Sequence, residues 1–211
     1  MRTGNGDVDG ALTPPTQIRL AMPAERAYVA GMSPPALMTA EELLQVHLPD
    51  KRVELVRGLL VVREPAGYRH GEVTARLAKA VIDYADAHDL GRVLVGDVGF
   101  KLATSPDTVR APDVAFIRRE RLPHPSPVGY AGLAPDLVVE VLSPGDRPGE
   151  VLGKVADWLS GGSRLVWVVD PERRLARVYR EDGSETVVTA DGALDGEDVL
   201  PGFSQPLEAI L

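Results

Sequence analysis

Asp113 and Glu140 each break an apolar run that otherwise reads as buried strand, Ala111-Pro112-Asp113-Val114 and Leu137-Val138-Val139-Glu140-Val141-Leu142. A carboxylate drawn into a sheet costs several kcal/mol unless something compensates it. Two of them in neighbouring strands repel unless a cation lies between. Two carboxylates with a nearby main-chain carbonyl and water suit Mg²⁺ or Mn²⁺, hard cations that prefer oxygen. Such an ion lowers the pKa of bound water and neutralises charge developing on a phosphate oxygen. The chemistry permitted is phosphodiester hydrolysis.

A lysine adds to the pair. Lys154 follows Glu140 by 14 positions, on a helix whose apolar stripe is Val151, Val155, Trp158 and Leu159. Positions 151, 154, 155 and 158 share a helical face, so Lys154 is expected to point at the sheet. An ammonium there can orient an attacking water and stabilise the transition state.

The elements that must hold these residues are legible from period and punctuation. Thr39-Ala40-Glu41-Glu42 is a capping box that opens a helix to about Val46, with Leu43 and Leu44 inward. Arg52–Val56 and Leu59–Arg63 read as strands around a turn at Arg57-Gly58. Val73, Leu77, Val81 and Tyr84 recur at helical spacing between His70 and His88, with Gly91 as the expected stop. Strands are expected at 92–95, 98–102 and 113–117, and a proline-rich loop at 122–135. The apolar strand at 137–142 follows, then a helix from Pro148 to Leu159. Strands at 165–169, 176–180 and 186–189 complete the chain, with Asp182-Gly183 as a hairpin turn. In the strand at 137–142, alternation puts Val138, Glu140 and Leu142 on one face, Val139 and Val141 on the other. The fold class is α/β, a mixed β-sheet flanked by helices. Residues 1–37, with five prolines and no sustained period, are expected to form a flexible leader; residues 38–211 form one domain.

Composition narrows the classes. The chain has 211 residues, 44% hydrophobic and 26% charged, as an ordinary globular protein has. It contains no cysteine, which excludes disulfides, thiolate metal sites and cysteine nucleophiles. No apolar run is long enough to span a bilayer and no secretory signal is evident, so a cytoplasmic location is expected. The net charge of −8 argues against a protein that coats nucleic acid through bulk electrostatics. Gly96-Asp97-Val98-Gly99 lacks the third glycine and helix of a dinucleotide site. A serine-hydrolase elbow is absent too.

Six segments in order carry a resemblance. Glu54 in Arg-Val-Glu-Leu-Val-Arg-Gly, His70 at a helix start, Ala-Pro-Asp113-Val, Ala-Pro-Asp-Leu-Val-Val-Glu140-Val-Leu-Ser-Pro, Lys154, and Leu-Val-Trp-Val-Val-Asp170-Pro171 together resemble the Uma-type restriction endonuclease family, a branch of the PD-(D/E)XK nuclease superfamily. The resemblance spans about 38–207 and implies a restriction-endonuclease-like core that cleaves DNA with Mg²⁺ or Mn²⁺. By motif match Asp113 and Glu140 are metal ligands, with the main chain of Val141 beside them. Glu54 is an additional acid, and Lys154 replaces the lysine that most of the superfamily carries two residues after the glutamate, where this chain has Leu142. His70 is read as a helix-start or hydrogen-bonding residue more readily than as a ligand.

Blander readings stand beside these. Asp113 after proline can cap a turn, Glu54 can be a solvated hairpin residue, and Lys154 can snorkel to solvent. Arg118, Arg119 and Arg121 are either a solvated face or the lining of a phosphate path. A nuclease fold that binds without cutting, or an ion network without metal in a protein-binding module, would use the same residues. Cutting both strands of a duplex often uses two sites, which is consistent with a homodimer.

Overall fold

The computed structural model describes residues 36–211. The expected leader, 1–37, therefore lies outside the described residues but for its last two. Twelve strands and three α-helices follow from there.

A four-stranded antiparallel sheet has the order β2-β1-β5-β4, from β1 (Arg52–Val56), β2 (Leu59–Arg63), β4 (Phe100–Ala103) and β5 (Thr108–Arg110). The hairpin β1–β2 turns through Arg57 and Gly58, both at positive φ (49° and 77°), as a two-residue turn matching the twist of its strands requires. Its first turn of helix, α1 (Ala40–Leu43), carries the expected capping box: Thr39 Oγ1 accepts from the Glu42 N–H, and Glu42 returns a carboxylate to the Thr39 N–H. The helix stops after one turn, so Leu43 is buried but Leu44, expected inside, is exposed.

The larger sheet is mixed, in the order β10-β9-β8-β7-β6-β3. Its strands are β3 (Gly91–Val95), β6 (Val114–Arg118), β7 (Leu137–Val141), β8 (Leu165–Asp170), β9 (Leu175–Arg180) and β10 (Glu185–Thr189). Only β7 and β8 run parallel, joined by α3 (Pro148–Ser160). Parallel neighbours need such a crossover, and burial on both faces explains why β7 and β8 are unbroken aliphatic text apart from Glu140 and two aromatic or acidic positions.

Alternation sorts the core into two layers. Val114, Phe116, Val139 and Trp167 meet Val73, Leu77 and Val81 of α2 (Tyr68–Ala87) on one face. Ala115, Ile117, Val138, Val166 and Val168 meet Val155 and Trp158 of α3 on the other. Glu140, flanked by Val139 and Val141, falls on the α3 side as its parity dictates.

Two further expectations need correction, and three short strands lie outside the expected set. Gly91 does not end α2; it opens β3, and Asp89 supplies the left-handed residue (φ 57°) beyond the helix. The strand β5, and the pair β11 (Ala193–Asp195) with β12 (Ser204–Pro206), are too short for a two-residue period to register in sequence. Asp113 stands just before β6 rather than inside it.

Candidate active site

Four elements converge on Glu140. The register Val114↔Val139 carries Asp113 opposite Glu140 at the mouth of the β6–β7 pair. The Asp113 N–H donates to the Val139 carbonyl (3.1 Å), and the Val141 N–H donates to Asp113 Oδ2 (2.7 Å). It is thus the amide of Val141 that is seen engaging the aspartate. From α3, one crossover away, Lys154 Nζ reaches Glu140 Oε2 at 3.0 Å and Trp158 Nε1 donates to Glu140 Oε1 at 2.9 Å. The expected inward face of α3 is therefore the observed one, with Trp158 a polar partner as well as a core residue.

Glu54 enters from β1. Its neighbour Leu55 packs toward α1, so Glu54 faces α3. Its Oε1 accepts from the Ala111 N–H (3.1 Å) and lies 3.6 Å from Lys154 Nζ; its Oε2 accepts from Arg110 Nη1 (3.0 Å). The solvated-hairpin reading of Glu54 fails, because the residue is 4% exposed. Lys154 does not snorkel: its side chain is 13% exposed and lies between two carboxylates.

His70, in the first turn of α2, puts Nε2 3.2 Å from Asp113 Oδ1, with Nδ1 3.5 Å from Thr74 Oγ1. It touches the aspartate rather than standing free to ligate. Arg52 Nη2 reaches the same Oδ1 at 3.2 Å.

Sequence reasoning passed over Arg52, Arg110, Asp157 and Arg63. Arg110 is buried, with Nε and Nη2 both on Asp157 Oδ2 (2.9 and 2.6 Å) while Nη1 holds Glu54. No local period marked it: only the structure shows Thr108-Val109-Arg110 as a fully buried strand, where a guanidinium demands acidic partners. By contrast Arg118, Arg119 and Arg121 lie at the far end of β6, paired with Glu120, Asp89 and buried Asp136; they line no path to Glu140.

Electrostatics separates the three acids. For Asp113, burial opposes ionisation, but the His70 contact, the Val141 amide and Arg52 outweigh it and hold the carboxyl below its ordinary range. For Glu54, burial is likewise overcome by Lys154, Arg110 and the Ala111 amide, and the carboxyl is lowered. Glu140 goes the other way. Burial raises it, Asp113 and Glu54 add to the rise, and Lys154 and Trp158 offset only part. Burial alone would lower the Lys154 ammonium, but Glu140 and Glu54 raise it, so it stays charged. The three carboxylates thus share Lys154, Arg110 and Arg52, and Glu140 is the one with no guanidinium on it.

A cavity of about 380 Å³ opens onto this group, walled by Arg52, Arg63, His70, Asp113, Glu140 and Lys154. A second, of about 520 Å³, adjoins it across Arg52, His70 and Asp113 and runs along the small residues of α2. Among the described residues no cluster of three or more acidic or imidazole side chains forms a ready metal cage. Mg²⁺, however, is commonly held by one or two carboxylates completed by water and substrate oxygen. Asp113 and Glu140 supply that donor type and line the same cavity, and Asp113 Oδ2 and both Glu140 oxygens each keep a lone pair beyond their one protein donor. The residues fit the ion.

A mixed sheet covered by helices on both faces, with acids gathered at one end of its central strands, is the restriction-endonuclease-like nuclease architecture. The family described as "Putative restriction endonuclease", Uma2, matches residues 40–208, and the chain belongs to it. The fold is similar to that of a crystal structure described as "a putative nuclease belonging to DUF820" from Anabaena variabilis ATCC 29413: TM-score 0.72 and 18% identity, over 82% of this chain and 97% of that one. A search of curated proteins finds no match. Among the described residues no helix is long and apolar enough to cross a membrane.

Proposed function

We propose that residues 38–211 act as one domain, a divalent-metal-dependent endonuclease that hydrolyses phosphodiester bonds of DNA. The observation that carries the reading is the buried ammonium of Lys154, 3.0 Å from Glu140 and 3.6 Å from Glu54 on the wall of a cavity it shares with Asp113. Asp113 and Glu140 would hold Mg²⁺ or Mn²⁺, with the Val141 main chain beside them. Bound there, the ion would supply Lewis acidity toward water and the phosphate oxygens.

The chain's own residues do the rest. Water oxygen bonds to phosphorus and loses a proton to solvent as the bond to the leaving sugar oxygen breaks, and that oxygen takes up a proton from solvent. Lys154, kept protonated by its two carboxylates, offers N–H donors to the attacking water and to charge growing on the phosphate. Trp158 fixes Glu140, and the amide of Val141 with His70 fixes Asp113, so the acids are oriented before substrate arrives. Arg110 anchors Glu54 from behind and ties it to Asp157 on α3.

One observation favours a second reading, an ion network that needs no metal: each oxygen of Asp113, Glu140 and Glu54 already has a protein donor or cation nearby. Cleavage of supercoiled plasmid and linear DNA with Mg²⁺ or Mn²⁺, together with Mn²⁺ titration calorimetry, separates the two. The nuclease reading expects nicking or cutting abolished by EDTA, and loss of both cutting and Mn²⁺ heat in a folded Glu140→Ala variant. A folded wild type that neither cuts nor takes up Mn²⁺ leaves the ion network as the explanation.

A further inference from the structure

Arg52 and Arg63 stand opposite each other across the β1–β2 ladder. Directly opposed residues in an antiparallel pair share one face with their Cβ atoms close, and like charges there are unfavourable. The two guanidinium groups are not equivalent. Arg52 is committed: its Nε lies 2.6 Å from Asp97 Oδ1 and its Nη2 bonds Asp113. Arg63 has no contact of that quality. Its Nη1 is 3.5 Å from Glu150 Oε2, the outer limit of a hydrogen bond, and 3.8 Å from Asp146 Oδ1. Its Nε is 3.7 Å from Glu54 Oε2, and that buried nitrogen has no hydrogen-bond partner.

The other cations around the cleft are matched closely. Lys154 has Glu140 at 3.0 Å, Arg110 has Asp157 at 2.6 Å, and Lys51 has Glu64 at 2.5 Å. Among the described cations lining the two adjoining cavities, Arg63 is the one without a close carboxylate. A well-made guanidinium–carboxylate contact runs at about 2.7–2.9 Å, so Arg63 has most of its donor capacity unused. Its planar fork suits two oxygens of one phosphate group. Its long contacts to Asp146 and Glu150 are half-solvated and cost little to exchange.

We propose that Arg63 is a substrate-binding residue that takes the non-bridging oxygens of a nucleic-acid phosphate, so that the strand is held on the same cavity wall as Lys154. The inference rests on the nuclease reading for the identity of its ligand, though not on cleavage itself. Because the other cations lining the two cavities are closely matched by carboxylates, Arg63 is the side chain there with donors to give the phosphate beside Lys154. Asp146 and Glu150 are the partners it leaves when the phosphate arrives.

The test uses the full chain and a fluorescein-labelled duplex DNA, with anisotropy read in Ca²⁺ across a series of salt concentrations. Arg63→Gln should weaken binding about 10-fold or more, the loss of a charged hydrogen-bonded contact. It should also make the slope of log K against log[salt] shallower by about 0.9, the share of one duplex phosphate. Arg63→Lys should keep the slope while losing part of the affinity, a rescue that a merely structural role does not provide. In steady-state cleavage KM rises and kcat stays near wild type. A folded Arg63→Gln variant with wild-type affinity and slope overturns the proposal. If wild type binds through Arg63 but never cuts, the proposal stands and the nuclease reading falls. If wild type cuts and Arg63→Gln leaves KM unchanged, the proposal falls alone; if wild type neither binds nor cuts, both fall.

Discussion

Lys154→Met is the most informative single change, because it keeps an unbranched apolar stem, one atom shorter, and removes the ammonium with its charge and its N–H donors. The ammonium sits 3.0 Å from Glu140 and 3.6 Å from Glu54. At an effective dielectric constant of about 20, each of those contacts carries roughly 5 kcal/mol of gross attraction. Removal also relieves the lysine of its own desolvation, so the net penalty is that of a broken buried pair, about 3–5 kcal/mol. That is about a fifth or more of the roughly 5–15 kcal/mol by which domains are usually stable. The penalty must depend on pH. Glu140 is already raised, by burial and then by Asp113 and Glu54, and loses in this variant the charge that restrained it. The native state then holds a proton that the unfolded chain has released above its ordinary carboxylate pKa of about 4.3. Stability therefore falls as pH rises through that window, and the cost of the substitution is larger at pH 7.5 than at pH 5. Urea melts of wild type and variant at the two pH values, in EDTA and then in Mn²⁺, supply the numbers. Mn²⁺ should stabilise the variant more than wild type, since Glu140 now lacks its cation while Glu54 keeps Arg110; at 100 times Kd such binding is worth about 2.7 kcal/mol. A cost under about 1 kcal/mol, the range of solvated ion pairs, or one that is the same at both pH values, would refute the picture of a desolvated acidic centre.

Two further outcomes test the surroundings. Glu54 is lowered despite burial, chiefly by Lys154 and Arg110, so its contribution is present above the ordinary carboxylate pKa of about 4.3 and is lost as pH falls through the folded value. Glu54→Gln should be less stable than wild type at pH 7, with the gap in urea midpoints shrinking below about pH 4; a constant gap down to pH 3 contradicts this assignment. Gly91 meets β6 so closely that an added Cβ would lie 2.0 Å from the Ile117 carbonyl oxygen and 2.9 Å from Phe116 Cε2. Gly91→Ala should cost about 3 kcal/mol by overpacking and leave cleavage per folded molecule unchanged, since β3 is at the sheet edge away from Glu140; a neutral melt shows that the edge strand yields.

Whatever depends on a residue's near neighbours in sequence was legible before the fold was known. The strands at 52–56 and 59–63, the crossover helix and the parity of Glu140 follow from periods of 2 and 3.6, which are local. Asp113, Glu140 and Lys154 announced themselves because a charge in an aliphatic run is anomalous wherever the chain goes. The three-residue strands β5, β11 and β12 were invisible, being too short to show a period, and β5 is also held by the distant β1.

The sequence alone determined that buried carboxylates and a lysine had to meet some counter-charge. Tertiary structure alone decided which one each meets. Arg110 finds Glu54 across 56 positions, through the β1–β5 register of the smaller sheet, and Arg52 finds Asp113 across 61, from that sheet to the start of β6 in the larger one. The same register left Arg63 beside acids too distant to satisfy it. Desolvation fixes the need for a partner from composition, whereas Coulomb attraction depends on distance, and distance exists only in the folded chain.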